Sequence, residues 1–244
     1  MTTNPMHQFE VYRIGPEINL GSINLSFTNA SLFMTVSAIT ILLLLFIGTK
    51  KKLLLPTKMQ LITEMTYTFI AKMINDTAGT SAKPFFPFIF TLFMFVLFCN
   101  MVGMLPYSFT VTSHIIVTFI LAAIVFVGVT IIGFIKHGIK YLELFVPKGV
   151  PVILLPLIVV IEIISYLSRP VSLSVRLFAN MMAGHTMLKV FGGFVISLGL
   201  LGGWLPLSFT VALTGLEILV AFLQAYVFAI LTCIYLNDAL NLHH

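Results

Sequence analysis

Ionisable side chains are concentrated in one stretch of an otherwise very apolar chain. The stretch is residues 162–189, EIISYLSRPVSLSVRLFANMMAGHTMLK, and it contains Glu162, Arg169, Arg176, His185 and Lys189. A charge placed in hydrocarbon costs roughly 3 to more than 10 kcal/mol. Glutamate and histidine side chains can bind and release protons when their surroundings are tuned, whereas a guanidinium stays charged. The stretch therefore predicts proton chemistry arranged around a permanent cation.

Helical periodicity divides these groups between two faces. At about 100° per residue, Glu162, Arg169 and Arg176 recur every seven residues and share one face, which Asn180 joins. On a straight helix His185 falls roughly opposite them. We expect one polar track that runs along the helix from its inner end toward Arg176. A second set of groups, with His185 and Lys189, faces elsewhere near the outer end of the helix.

A later apolar segment carries a matching polar set. Glu217 and Gln224 are seven residues apart, and Tyr235 shares their face. Antiparallel packing of the two segments would bring Glu217 near His185 and Gln224 near Arg176. The fixed cation would repel protons passing straight through and attract a carboxylate on a partner helix. The pattern predicts two half-channels, each reaching only part of the way across the membrane.

Structural roles are the alternatives for several of these residues. Glu162 and Lys189 could end a helix at the membrane interface by snorkelling, Arg169 could pair locally, and His185 could be a satisfied buried group. Arg176 has no acidic neighbour in sequence, so a purely structural role fits it least. The amides are compatible with hydrogen bonds that cross-link helices, and they are Asn100, Asn180 and Gln224.

The composition identifies an integral membrane protein. Of the 244 residues 59% are hydrophobic and 9% charged, against about 25% charged in soluble domains. The net charge of +5 comes from cations in short loops, which indicates topology rather than nucleic-acid binding. Cys99 and Cys233 lie in apolar runs and are expected to be small hydrophobic side chains. We find no metal, cofactor or nucleotide-binding pattern.

Apolar runs of about 20 residues predict five membrane crossings. The cations Lys50, Lys51 and Lys52 follow the first run and place its end on the inner side. The predicted segments are an outer tail 1–24, a first span 25–48, an amphipathic inner-surface helix 57–77, spans 85–105 and 115–135, and long helices 151–191 and 205–236.

The two long helices exceed the length that a perpendicular span needs, so we expect a strongly tilted or bent hairpin. Pro170 and Gly184 are natural bend points in the first of them. The predicted fold is an all-α membrane protein in a single membrane domain, 1–244. It has about five transmembrane helices, one amphipathic surface helix and a long tilted C-terminal hairpin.

The segment SRPVSLSVRLFANMMAGHTMLK, residues 168–189, resembles the signature of subunit a of F-type ATP synthases. Other blocks are similar to the same family in the same order, over about residues 8–242: FCNMVGMLPYSFTVTSH, GFIKHG, ALTGLEILVAFLQAYVF and TCIYLNDALNLH.

The resemblance implies a proton-translocating stator subunit that loads and unloads protons on a rotating ring of c subunits. Arg176 matches the family's essential arginine, which faces the ring's carboxylate. The half-channel positions implied are Asn180 and Gln224 beside the arginine, His185 and Glu217 on the outer side, and Glu162, Ser172 and Tyr235 on the inner side. The implied partners are the c-ring, peripheral-stalk and other membrane subunits and lipid, with no nucleic acid, no cofactor and no nucleotide-hydrolysing site in this chain.

The order of His185 and Glu217 is typical of mitochondria and their alphaproteobacterial relatives, and many bacteria have the pair exchanged. Some bacteria have Asp where this chain has Gly103, so no acid of the second span is carried over. The resemblance favours the mitochondrial inner membrane, with a bacterial inner membrane of alphaproteobacterial type as the alternative. Other functions left open by the residues are a secondary transporter, a stand-alone proton channel and a structural membrane anchor.

Overall fold

The computed structural model describes residues 9–14, 19–20, 23–24, 26–50, 56–105, 108–146 and 154–241. Most of the predicted outer tail 1–24 lies outside these residues, as do Lys51, Lys52 and residues 151–153 of the predicted hairpin. Within the described part, long helices dominate and confirm an all-α membrane protein.

Six α-helices follow one another in the described residues, after two short antiparallel strands. The strands are β1 (Asn19–Leu20) and β2 (Ile23–Asn24), and the helices are α1 (Asn29–Lys50), α2 (Lys58–Ala78), α3 (Phe86–Gly103), α4 (Ile115–His137), α5 (Leu155–Gly202) and α6 (Trp204–Leu240). Short 3-10 turns are Thr80–Phe85, Val111–Ser113 and Gly138–Phe145. Five segments are long and apolar enough to cross a membrane: Asn29–Lys50, Thr80–Gly103, Ile115–Leu142, Leu155–Gly199 and Trp204–Leu240.

Helix α2 is amphipathic and has defined ends. The Thr57 hydroxyl accepts a hydrogen bond from the Gln60 amide at 3.4 Å, which satisfies one of the free donors at the helix start. Gly79 ends the helix with φ 67°, a conformation that glycine adopts without strain. Ile70 and Ile74 are buried, and the helix packs on α1, α3 and α6.

Helix α6 is the centre of the bundle, because it packs against α2, α3, α4 and α5. One of its faces is built from small side chains that are completely buried, namely Ala221, Ala225, Ala229 and Cys233. Small residues allow helices in a membrane to approach closely. Helices α5 and α6 also pack along each other, which positions the polar groups that the two helices carry.

Helix α5 contains 48 residues and is about 70 Å long at 1.5 Å per residue. The hydrocarbon core is about 30 Å thick, so the helix must be tilted or bent to stay within it. The non-helical dihedral angles inside this segment fall at Gly199, with φ 63°, rather than at the expected positions Pro170 and Gly184. Glycine is the residue that tolerates this φ, and the break lies in a glycine-rich patch formed by Gly192, Gly193, Gly199, Gly202 and Gly203.

Residues 109–113 of the outer turn between α3 and α4 are buried. The hydroxyls of Ser108 and Thr110 donate to the carbonyl of Gly103 at 2.9 and 3.1 Å. A side chain at Gly103 would collide with Thr110, since a Cβ there would lie 2.8 Å from its methyl group. The ring of His114 stacks on Phe109 with centroids 4.9 Å apart. The turn therefore packs as part of the bundle.

Candidate functional site

A buried histidine and a buried glutamate meet between the two long helices. The Nδ1 atom of His185 on α5 contacts Oε1 of Glu217 on α6, and the residues are only 8% and 4% exposed. Gly184 makes room for the carboxylate, because a Cβ there would lie 2.7 Å from Glu217 Oε1. We call this pair the outer cluster. Both members can bind and release protons, so the pair can pass a proton.

A second polar contact lies nearer the middle of the same hairpin. Asn180 Nδ2 donates to Gln224 Oε1 at 2.9 Å. From α3, Asn100 Nδ2 donates to the backbone carbonyl of Ala221 at 3.2 Å, so this amide bonds a neighbouring helix as expected from sequence. Three helices thus converge around Gln224, which is 3% exposed.

Arg176 lies on the exposed side of α5, one helical turn before Asn180. Within the described ranges its guanidinium makes no hydrogen bond or ion pair, whereas Leu177 beside it is fully buried. A charged group in an apolar segment is expensive unless it is paired or hydrated. The geometry leaves all five guanidinium donors available to a group outside this chain.

Arg169 forms an ion pair across the hairpin rather than with a local partner. Its Nη1 lies 3.0 Å from Oδ2 of Asp238 near the end of α6. The guanidinium lies over the rings of Tyr166 and Tyr235, 5.4 and 4.9 Å from their centroids. We call these four residues the inner cluster. Local pairing, considered for Arg169 from the sequence, is found only as the contact with the ring of Tyr166, and the ionic partner lies on α6.

Asp238 and Tyr166 were missed by the sequence reasoning. Asp238 stands three residues after Tyr235, a spacing that puts both on one face of a helix. An antiparallel hairpin that aligns Asn180 with Gln224 also brings Arg169 to the level of Asp238. That register was the signal that could have identified the pair.

The remaining predicted site residues lie apart from these contacts. Glu162 is half-buried and Ser172 is exposed on α5. Neither side chain makes a hydrogen bond or ion pair with another residue in the described part of the chain. The structure thus brings together His185 with Glu217, Asn180 with Gln224, and Tyr235 with Arg169, but not Glu162 or Ser172 with the others.

Protonatable groups stand on both sides of Arg176 along α5. His185 follows it by nine residues and Glu162 precedes it by fourteen, which is about 14 and 21 Å of helix rise. The buried atoms His185 Nε2, Glu217 Oε2 and Gln224 Nε2 have no hydrogen-bond partner among the described residues. Buried polar atoms of this kind commonly bind water, which suits a path for protons.

Known proteins are similar to this chain over nearly its whole length. The chain matches the family described as ATP synthase A chain over residues 31–237. It is 80% identical over 244 residues to ATP synthase subunit a of Pelagibacter ubique (strain HTCC1062), covering 100% of both chains. It is also 58% identical over 250 residues to ATP synthase subunit a of Chelativorans sp. (strain BNC1), again covering 100% of both chains. To ATP synthase subunit a of Rhizobium rhizogenes it is 60% identical over 247 residues, covering 99% of this chain and 98% of the relative.

Proposed function

The chain belongs to the ATP synthase A chain family, and on that premise we propose that it provides two proton half-channels separated by Arg176. It is a membrane subunit of F-type ATP synthase, a proton-translocating complex, and works with the other subunits of that complex. With several apolar helices and bacterial relatives, it is a multi-pass inner membrane protein. The mitochondrial location favoured from the sequence has no support from these relatives, which are bacterial. We therefore infer a bacterial inner membrane.

The outer half-channel is assigned to the outer cluster. A proton arriving from the outer side would pass to His185 and Glu217, whose side chains are in contact. From there it would travel past the amides Asn180 and Gln224 to a carboxylate on the c-ring. Support comes from burial, because both side chains are nearly inaccessible and contact each other between α5 and α6.

Arg176 is assigned as the barrier between the two routes and as the partner of the ring carboxylate. Its charge is permanent and has no partner in the described part of the chain. A fixed cation repels protons and stabilises a deprotonated carboxylate facing it. A ring site that has released its proton could therefore pass Arg176, whereas a free proton could not. This unpaired cation between protonatable groups carries the proposal.

The inner half-channel is assigned to Glu162, Ser172 and Tyr235, on the side of Arg176 where the cations of the loops place the cytoplasm. A proton released from the ring would leave toward Glu162. One elementary charge crossing the membrane yields about 2.3 kcal/mol per 100 mV. Several crossings must be added together for each ATP made, and a rotating ring of proton-carrying subunits achieves that sum.

The test is the Arg176→Ala variant of the assembled complex in inverted membrane vesicles. We expect loss of ATP synthesis and of ATP-driven proton pumping, because the ring carboxylate loses its partner, together with a passive proton leak. Arg176→Lys keeps the charge but not the planar fork and serves as the matched control, with activity between those of Ala and wild type. Normal pumping in Arg176→Ala would refute the assignment.

The alternative functions predict different outcomes. A secondary transporter or a stand-alone channel would move solute or protons when the purified chain is reconstituted without the c-ring. A structural anchor would leave proton flux unchanged when His185 and Glu217 are replaced. We expect no flux from the chain alone, and lost flux in the complex that carries both replacements.

A further inference from the structure

The ion pair of the inner cluster lies against two aromatic rings. The guanidinium of Arg169 is 3.0 Å from Asp238 and lies over the rings of Tyr166 and Tyr235. The side chains of Arg169 and Asp238 are 22% and 34% exposed. A cation over an aromatic face is attracted by the ring, more strongly where water is excluded. Four side chains thus fix the position of one positive charge.

Tyr166 is itself held in place from two other elements. Its hydroxyl lies 2.6 Å from Thr130 Oγ1 on α4 and 3.0 Å from the hydroxyl of Tyr141 in the 3-10 turn that follows α4. Tyr166 is 8% exposed and Tyr141 2%. The ring beneath Arg169 is therefore anchored to the bundle, and the guanidinium cannot turn away from Asp238 without leaving that ring.

The fixed charge matters because Arg169 and Glu162 share one face of α5. They are seven residues apart, which is about 10 Å of helix rise. Charges at that distance on one helix face interact more strongly where water is scarce. Without a counter-ion, Arg169 would be a second uncompensated cation beside Glu162 and would act against a proton moving along the inner route.

We propose that Asp238 neutralises Arg169, which leaves Arg176 as the uncompensated cation on that face of α5 among the described residues, and that Tyr166 positions Arg169 for this pairing. The inference rests on the proposed inner half-channel at Glu162. Asp238 and Tyr166 are positioning residues: they act through Arg169 and carry no protons themselves. An Asp238 carboxylate committed to a guanidinium at 3.0 Å is not free to pass protons.

Other ionisable groups packed around the pair are few and have defined positions. Tyr141 bonds Tyr166, and Tyr235 stacks on Arg169. At the end of α4, Lys136 Nζ and His137 Nε2 lie 2.9 and 3.1 Å from the carbonyl of Leu240. These groups are left unchanged in the test, so differences between variants report on the ion pair.

The experiment compares three variants of the assembled complex in inverted vesicles, where the buffer pH sets the pH of the inner side. The variants are Asp238→Asn, Arg169→Gln and the double variant Arg169→Gln/Asp238→Asn. ATP-driven proton pumping is recorded against buffer pH and divided by ATP hydrolysis in uncoupled vesicles, which removes effects on the catalytic part. We expect Asp238→Asn to move the half-maximal pH of pumping down by about one unit, and Arg169→Gln to move it up.

The double variant decides between a counter-ion and a proton carrier. Restoration of the wild-type profile in the double variant supports the proposal, since neutrality is restored although Asp238 is gone. Loss of pumping in both Asp238→Asn and the double variant would identify Asp238 as a carrier and overturn the proposal. An unshifted profile in Asp238→Asn, or a double variant that fails to assemble, would overturn it as well.

Tyr166→Phe and Tyr166→Leu test the positioning role. Phe keeps the ring but loses the hydroxyl, and Leu loses both, so the downward pH shift should increase from Phe to Leu. No shift in Tyr166→Leu would refute that role. These outcomes are separate from the Arg176→Ala test, which can fail or succeed whatever the charge of Arg169.

Discussion

Asn180 and Gln224 join the two long helices by a hydrogen bond of 2.9 Å, one helical turn beyond Arg176. The contact lies between the outer cluster and the exposed guanidinium. It therefore fixes how far α5 and α6 can slide or rotate against each other near Arg176. A proton leaving Glu217 would meet this amide pair before it reached a group facing Arg176.

Removing this hydrogen bond is expected to impair pumping without unfolding the chain. A typical internal hydrogen bond contributes about 1 kcal/mol, so Gln224→Leu should reduce coupled proton pumping about fivefold if the amide pair aligns the route. The measurement is ATP-driven proton uptake by inverted vesicles, normalised to the amount of assembled complex. The single variant Asn180→Leu is measured as well. The double variant Asn180→Leu/Gln224→Leu should pump protons no more slowly than the less active of the two single variants. Additive losses would show that the two amides act independently.

A methyl group at position 184 is expected to displace the outer carboxylate. A Cβ there would lie 2.7 Å from Glu217 Oε1, and the flexible end of the glutamate can move aside at little cost to the fold. Gly184→Ala should therefore assemble normally but slow proton uptake from the outer side by tenfold or so, because the contact with His185 is lost. The readout is ATP synthesis driven by an imposed pH gradient.

Gly215→Ala is the matched control, since a Cβ at Gly215 on α6 meets nothing within 4 Å. We expect this variant to synthesise ATP at the wild-type rate. Equal rates in Gly184→Ala and Gly215→Ala would mean that the position of the Glu217 carboxylate does not limit proton flow.

Periodicity explains what could be predicted from sequence and what could not. Runs of about 20 apolar residues give the all-α membrane fold, and seven-residue spacing groups polar side chains on helix faces. Neither signal contains the register between two helices. The pairing of Arg169 with Asp238, 69 residues away, depends on that register, so local spacing could not identify Asp238 as the partner.

The break at Gly199 falls between the predicted helices 151–191 and 205–236, so its region was predicted, but the particular glycine was not. Proline and glycine inside a helical pattern are both possible bend points, and the sequence offers Pro170, Gly184 and several later glycines. Pro170 is tolerated inside a long helix of this kind, because surrounding helices and side chains can satisfy the freed backbone groups. Which glycine takes a positive φ is decided by where α5 must turn into α6.

His114 is expected to make the outer turn sensitive to acid. Burial lowers the pKa of His114 below its ordinary value of 6.5, so the folded protein favours the neutral ring. The stabilisation is complete above the unfolded pKa of about 6.5 and is lost as the pH falls below it, because the unfolded chain then binds a proton more readily. The midpoint temperature of thermal unfolding of the purified complex should therefore be lower at pH 5.5 than at pH 7.5.

His114→Gln separates this effect from the titration of other groups. The glutamine keeps a polar side chain but does not titrate, so the variant should lose less thermal stability than wild type between the two pH values. If both proteins lose the same stability over that range, His114 is not the group that responds.

The last prediction concerns a glycine that makes space for an aromatic ring. Tyr141 is 2% exposed and its ring lies directly against α4 at Gly133. A methyl group there would overlap ring atoms, and overpacking of a buried site costs about 1–3 kcal/mol. Gly133→Ala should therefore lower the thermal midpoint of the purified complex and break the 3.0 Å hydrogen bond between Tyr141 and Tyr166.

Gly128→Ala provides the comparison on the same helix, because a Cβ at Gly128 meets nothing within 4 Å. Alanine is favoured over glycine in a helix by about 1 kcal/mol, so this variant should be as stable as wild type or more stable. Since Tyr166 supports Arg169, Gly133→Ala should also move the half-maximal pH of pumping downward, in the same direction as Asp238→Asn. Equal stability of the two alanine variants would show that Tyr141 relocates without cost, and the ring would then not be a fixed support for Tyr166.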